Sequence, residues 1–534
     1  MLPAANPKLT RARRAGRMWA LLIGLFALIG CTVAMPTPSA VPTSVTPEPT
    51  PDLTPSPSPS PTPIPEADVP LAVVTGYTNP IASITAAEVE AAIEADTLIQ
   101  LCEFLTAVNP VPRCLAAAKI IDHLLANPTE LAFLPAGLVV PTIKVLPVDG
   151  ADLFGGADAR SAPYPYTASI QLTDDRDSWL VDSADVRTLI SLGDSCPDRG
   201  VAHAAITLGL GWEWVFGGGT AEYTAVYPNP VPPGFVGNGF NIVDAVPTGN
   251  EGAVAELVSG ADVTLDDFEC PVVDDFTVNE GVVFSIDPAV LPHLRDTYGV
   301  DVATLAANHL FDRGTPGFLQ TLDKFEAAGI PTAGAGVDLG AALEPAYVDV
   351  NGLTFAFVGF NEIPGSLEAA PAQPGVLWLR DENVVEAVGR AREAEAELVI
   401  CVPQWWGGGE YHAQFLGDMR RQQQVFFDAG CDHVLGHGTH WSGPIEITAT
   451  DDGDHRVTLV SHGNFLFGQE WSQQTQEGVI LELSFVGTRL AQARMHPYIM
   501  LEQAQTNLTD PATDGLWVLN RIYEASGLPI AGSP

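Results

Sequence analysis

The sequence predicts an α/β protein, and three observations carry that prediction. Short apolar runs recur along the chain, and each ends in a polar loop that often contains glycine. Longer segments between them carry apolar residues at helical spacing. At 534 residues the chain also exceeds one ordinary domain, so the pattern is divided among more than one folded region.

The stretch 302–336 shows the pattern most clearly. Val302–Ala307 reads as a buried strand that stops at the polar pair Asn308-His309. Phe318, Leu319, Leu322 and Phe325 then mark one face of a helix, Gly329 ends it, and a second short strand follows. In such strand–helix–strand units ligands sit at the carboxyl ends of strands. Imidazole nitrogen and amide oxygen are both metal-ligand types, so a metal site is the first candidate. A structural role, with Asn308 capping the helix and His309 packed over it, fits these residues equally well.

The amino terminus reads as a targeting segment. Lys8, Arg11, Arg13, Arg14 and Arg17 precede the apolar run Met18–Gly30, which is short for a membrane span and suits a signal-peptide core. Leu28-Ile29-Gly30-Cys31 resembles the bacterial lipobox, which implies lipid attachment at Cys31. Residues 1–31 are therefore read as a lipoprotein-type signal peptide. Residues 32–66, dominated by Pro, Thr and Ser, are read as a stiff linker. The expected location is extracytoplasmic, anchored to the outer face of the bacterial cell membrane.

Composition excludes one class of partner. With 65 acidic and 24 basic residues the formal charge is −41, the opposite of a nucleic-acid footprint. An acidic protein acting on an anionic substrate needs local cations, either bound metal or a few placed arginines. Of seven cysteines, six remain for pairing once Cys31 is set aside. Cys102 with Cys114 closes a local loop, and Cys401 with Cys431 suits neighbouring strands; Cys196 and Cys270 also lie near strands, and pairing is not fixed by sequence.

Residues 67–172 form a region of their own. Leu71–Val74 reads as a strand, Thr85–Leu98 as a helix from a Thr cap, and Ala116–Ala126 as a second helix. Ala132–Leu134 and Ile143–Val148 read as further strands. This is a small α/β accessory domain, and its pattern resembles a shortened lobe of the phosphate-type periplasmic binding proteins. From 185 to 500 the strands Val186–Leu192, Ala261–Leu265, Thr354–Phe360, Leu398–Val402, His433–Leu435, Val457–Ser461 and Val479–Phe485 alternate with helices Asn383–Ala396 and Asp418–Ala429. Residues 501–534 are read as a C-terminal tail.

The loops after these strands carry Asp194, Glu269, Asn308, His309, His437, His440 and Asn464. Carboxylate, amide and imidazole groups gathered from separate strand ends are what a two-metal hydrolytic site requires. Carboxylates balance ion charge and imidazoles add directional neutral ligands. Any one of these loops alone is ordinary turn chemistry; their recurrence is the signal.

The order Gly193-Asp194 with Arg199, Asp267-Phe268-Glu269, LAANHLFDRG (305–314), the loop Pro403–Gly409, Gly436-His437-Gly438-Thr439-His440 and Ser461-His462-Gly463-Asn464-Phe465-Leu466-Phe467 resembles the CapA family of capsule or poly-γ-glutamate synthesis proteins. That family is related to the calcineurin-like metallophosphoesterases. The resemblance implies a four-layer αββα metallophosphoesterase-like domain binding one or two divalent ions (Mn, Zn or Fe). Asp194, Glu269, Asn308, His309, His437 and His440 would be ligands. His309, with Asp312 orienting it and Arg199 accompanying Asp194, would carry the chemistry. Asn464 would shape the adjoining loop.

Several positions depart from the family's pattern. The late loop reads PQWWGGG where the family has His before Trp-Gly, so Gln404 or Trp405 takes that place. Gly438 replaces a middle histidine, Asp267 an asparagine, and Ala307 the first asparagine of ANNH. Two functions follow. One is a membrane-anchored, metal-dependent hydrolase of a phosphoester or a cell-surface polymer, working with other capsule-synthesis proteins. The alternative is a non-catalytic polymer-binding or assembly factor with a degenerate metal site. A solute-binding lipoprotein built on 67–172 is disfavoured by the shortness of that lobe.

Overall fold

The computed structural model describes residues 66–105, 113–171, 176–229, 240–279 and 281–530. The signal peptide with Cys31, and the linker up to residue 65, lie outside the described residues. The chain divides into compact units 1–62 and 63–534, and everything below belongs to the second. Among the described residues no helix is long and apolar enough to cross a membrane.

Two sheets stacked face to face form the main body. The first runs in the order Thr332–Ala333, Val302–Thr304, Val263–Phe268, Val186–Cys196, Glu477–Val486, Arg489–Leu501, Gln505–Thr509, Thr220–Asn229, Phe240–Gly249, with Asn464–Phe467 also pairing Val186–Cys196. The second runs Ala346–Val350, Leu353–Asn361, Leu398–Gln404, His433–Leu435, His455–Leu459, Ile445–Ala449.

Alternation along the strands decides which side chains fill which layer. Leu189, Leu265 and Val302 of the first sheet meet Phe355, Phe357 and Ile400 of the second in one buried core. Their strand neighbours point outward. Ile190 and Leu192 pack with Phe318 and Phe325 of helix Gly314–Ala328. Val358 and Val399 pack with Val384 and Val388 of helix Asp381–Glu393 and with Phe426 of helix Met419–Ala429. Helix, sheet, sheet and helix make the four-layer αββα architecture.

Residues 66–171 form a further sheet, with order Cys114–Leu115, Leu98–Leu101, Leu131–Pro135, Glu66–Gly76, Ile143–Val145, and Thr167–Gln171 pairing Glu66–Gly76. Helix Ala86–Glu94 begins at the Thr85 cap, where Thr85 and Glu88 form a reciprocal capping box, and ends short of Leu98, which joins a strand. This sheet has its own core, to which Val186 and Ala491 of the main body contribute. Ser484 Oγ donates to the Phe154 carbonyl oxygen at 2.6 Å, and Gln492 Oε1 accepts from the Val145 amide at 2.9 Å.

The region from 501 onward differs from a tail. Leu501 ends a strand, Gln505–Thr509 adds another, and helix Leu516–Ala525 buries Val518, Leu519, Ile522 and Tyr523 in the inter-sheet core. Three disulfides join Cys102–Cys114, Cys196–Cys270 and Cys401–Cys431.

Candidate metal centre

Parallel strands bring the first half of the site together. In the first sheet Asp267 lies in register with Asp194 on one side and Thr304 on the other, and Asn464 pairs with Asp194. Asp194, Asp267 and Thr304 lie at or near the carboxyl ends of their strands and Asn464 opens its own, where the hydrophobic filling between the sheets gives way to polar side chains. Gly193 permits the close approach, since a Cβ there would stand 2.1 Å from the Gly463 carbonyl oxygen. The Cys196–Cys270 bridge ties the loop after Asp194 to the loop after Glu269.

The second sheet supplies the other half. Gln404, at the end of Leu398–Gln404, bridges to His437, which follows His433–Leu435. Two groups of buried side chains converge, each with candidate ligand atoms within 4.8 Å of one another: Asp194, Asp267 and His437, and Asp194, Glu269 and His440. Asp194 belongs to both. His437 Nδ1 lies 3.3 Å from Asp194 Oδ1 and 3.7 Å from Asp267 Oδ2, and His440 Nδ1 lies 3.1 Å from Asp194 Oδ2. Asn464 Oδ1 stands 2.8 Å from the same His440 nitrogen and fixes the ring. His440 holds φ at +59°, a left-handed conformation a non-glycine residue adopts at a cost of roughly 1–3 kcal/mol.

The electrostatics are those of a cation site. Burial would raise Asp194, but hydrogen bonds and charge from His437 and His440 outweigh it and hold the carboxyl well below the usual range. Burial raises Asp267 to about 6, with the Asp194 charge adding to it. Burial raises Asp266 to about 7, again with carboxylate neighbours contributing. Glu269 rises well above its ordinary value through burial and the charges of Asp194, Asp267 and Glu410. Burial depresses His437 and His440, yet the surrounding carboxylates reverse the sign and raise both.

Both Glu269 carboxylate oxygens, Asp267 Oδ2 and His437 Nε2 are buried without a hydrogen-bond partner. Unpaired buried acceptors of like charge are costly. Divalent cations bound by oxygen and imidazole would satisfy them, so the residues present fit metal.

The remaining expected residues occupy the rim or the supporting layer. Asn308 is buried, and its backbone N–H donates to Gln404 Oε1 at 3.0 Å. It does not cap the following helix, which begins at Gly314. His309 belongs to neither group. Its Nδ1 sits 3.0 Å from Asp312 Oδ2, and its ring stands edge-on to Phe284, with centroids 4.6 Å apart. Asp312 Oδ2 also accepts the Phe284 backbone N–H at 2.7 Å. Arg199, at φ +46°, places its guanidinium 4.5 Å over the Phe284 ring and donates from Nε to the Gly281 carbonyl oxygen.

The structure decides which residue replaces the missing histidine. Trp405 is fully buried in the core beside Phe415 and Phe426, whereas Gln404 faces Glu269. Asp267 joins a ligand group directly, so the exchange of asparagine for aspartate at this position keeps an oxygen ligand. Two residues escape sequence reasoning. Asp266 accepts from Ser195 Oγ at 2.7 Å, and His462 stacks on His437 with centroids 4.7 Å apart. The second sits in the Ser-His-Gly-Asn loop, so its neighbourhood to Asn464 was the available signal.

Comparison with known proteins identifies the family. The family described as bacterial capsule synthesis protein PGA_cap matches residues 188–469, just over half the chain, and the chain belongs to it. The PGA biosynthesis protein CapA of Bacillus subtilis is 32% identical over 181 residues, 34% of this chain and 46% of that protein. The capsule biosynthesis protein CapA of Bacillus anthracis is 25% identical, covering 42% and 56%. A probable polyglutamine synthesis accessory protein of Mycobacterium tuberculosis is 32% identical, covering 38% and 55%. The chain thus spans about half the length of the curated relatives it matches. Among solved structures, the NAD nucleotidase of Haemophilus influenzae aligns with 59% of this chain and 50% of that one, at 12% identity and a TM-score of 0.34.

Proposed function

We propose that the chain is an exported, lipid-anchored, metal-dependent hydrolase acting on a phosphoester or on a cell-surface polymer of the poly-γ-glutamate type. The reading rests on one observation: two buried ligand groups that share Asp194 and leave carboxylate oxygens unpaired. Family membership and the capsule-related names of the relatives support the choice of polymer.

Asp194, Asp267 and His437 would hold one ion, and Asp194, Glu269 and His440 a second. A divalent cation supplies Lewis acidity and activates water near neutral pH. The chain's own residues divide the other tasks. His309 donates Nδ1–H to Asp312, which leaves Nε2 to exchange a proton with the leaving group. Arg199, half-buried at the rim, binds the substrate's anionic group, the local cation an acidic protein needs. Export and the anchor at Cys31 are supported by the basic, apolar and cysteine-containing amino terminus.

A second reading, a polymer-binding factor without catalysis, is favoured by Gln404. An amide stands where the family resemblance expects an imidazole, and its oxygen is already engaged by the Asn308 N–H. The two separate on activity. Purified protein loaded with Mn or Zn is expected to cleave a model phosphodiester or poly-γ-glutamate, and His309→Ala to lose about 100-fold or more in rate. Metal binding without any hydrolysis, in wild type and variant alike, would establish the second reading instead.

A further inference from the structure

A cavity of about 230 Å³ lies where the 66–171 sheet meets the main body, and it is lined by Tyr77, Lys144, Arg494, Thr509, Leu519 and Tyr523 among others. Lys144 alternates with the buried Ile143 and Val145 and so projects from the other face of its strand. Its Nζ donates to the Asn79 carbonyl oxygen. Burial, with the Arg494 charge beside it, pushes Lys144 down to about 7.

The carboxylates near this cavity are already matched. Arg494 Nη1 binds Asp152 at 2.8 Å and Glu482 at 3.3 Å, and His496 Nε2 lies 2.8 Å from Glu482. What remains unpaired are donors. Arg494 Nε, the Tyr77 hydroxyl and Thr509 Oγ1 are buried with no hydrogen-bond partner in the protein. Tyr77 is 8% and Thr509 4% exposed. Buried donors without acceptors cost stability unless a ligand completes them. Met495, Leu508 and Leu519 also line the cavity, and apolar linings with a few polar groups are the ordinary make-up of small-molecule sites.

We propose that this cavity binds a small organic carboxylate. Its anionic oxygens accept from Lys144 Nζ, Arg494 Nε, the Tyr77 hydroxyl and Thr509 Oγ1, and its hydrocarbon part lies against the leucines. The site is independent of the metal centre and lies in a protein whose formal charge is −41, so recognition comes from local donors rather than from the protein's general field.

The test is isothermal titration of the purified protein with benzoate and, separately, inorganic phosphate. Saturable one-to-one benzoate binding is expected, weakened about tenfold or more in Lys144→Met, where one charge-assisted hydrogen bond is lost. Thr509→Val, nearly isosteric, is expected to weaken it less. Thermal melts confirm that each variant is folded. Absence of saturable binding, equal affinity in Lys144→Met, or a preference for inorganic phosphate would overturn the assignment.

Discussion

Gln404 stands where the two halves of the candidate site meet. Its backbone, at the carboxyl end of an inner strand, bridges to His437, its oxygen holds Asn308, and its amide stands next to Glu269. Gln404→His is expected to raise Mn or Zn affinity on the order of tenfold, since imidazole is the better ligand, as read by competition with a chelating dye. Gly438, the other drifted position, does not admit the same restoration. Its φ is +86°, and a Cβ there would stand 2.6 Å from Gln404 Cγ. Gly438→His is therefore expected to lower the melting temperature, with a backbone cost alone of about 1–2 kcal/mol. At this scale Asp194, Glu269, His437 and His440 stood out in the sequence because each lies near the end of an apolar strand or in the polar loop that follows one. Asp266 and His462 were not, because their roles come from contacts with Ser195 and His437 that no local pattern records.

Among the elements, strand ends do the positioning. Asp194, Asp267 and Glu269 come from neighbouring strands of one sheet, and His437 and His440 from the loop after a strand of the other. The Cys196–Cys270 bridge spans 74 residues and joins the two carboxylate-bearing loops. Replacing both cysteines by serine is expected to cost roughly 4 kcal/mol in denaturant unfolding and to weaken metal binding as the loops loosen. Unchanged metal affinity in a folded double variant would show that the sheet register alone holds the carboxylates. Strands such as Leu353–Asn361 and Leu398–Gln404 were readable because both their faces are buried, which gives continuous apolar runs. The hairpin Thr220–Asn229 with Phe240–Gly249 was not, since Val226, Tyr227 and Val246 stay exposed and the alternation is diluted. Helix Leu516–Ala525 was missed for its position near the chain end, although Val518, Leu519, Ile522 and Tyr523 carry helical spacing.

For the molecule as a whole, the candidate metal centre draws its side chains from both sheets, so an ion bound there would be linked to stability. In the metal-free protein Asp267 and Asp266 titrate at about 6 and 7 against about 4 in the unfolded chain, and Glu269 lies higher still. The folded state therefore binds more protons over that window, and its stability falls as pH rises through it. His437 and His440, raised on folding, act in the same direction. His433 and His462, lowered by burial, act in the opposite one. The site's share is thus isolated by difference: the gain in melting temperature from added Mn or Zn is expected to be larger at pH 7.5 than at pH 5.5. A gain that is equal or reversed would contradict the carboxylate assignment. The most direct test of the shared-ligand centre is metal stoichiometry of purified wild type, Asp267→Asn and Asp194→Asn by elemental analysis. Two ions, a reduced content and essentially none are the expected results in that order. Wild-type metal content in Asp194→Asn would contradict the account.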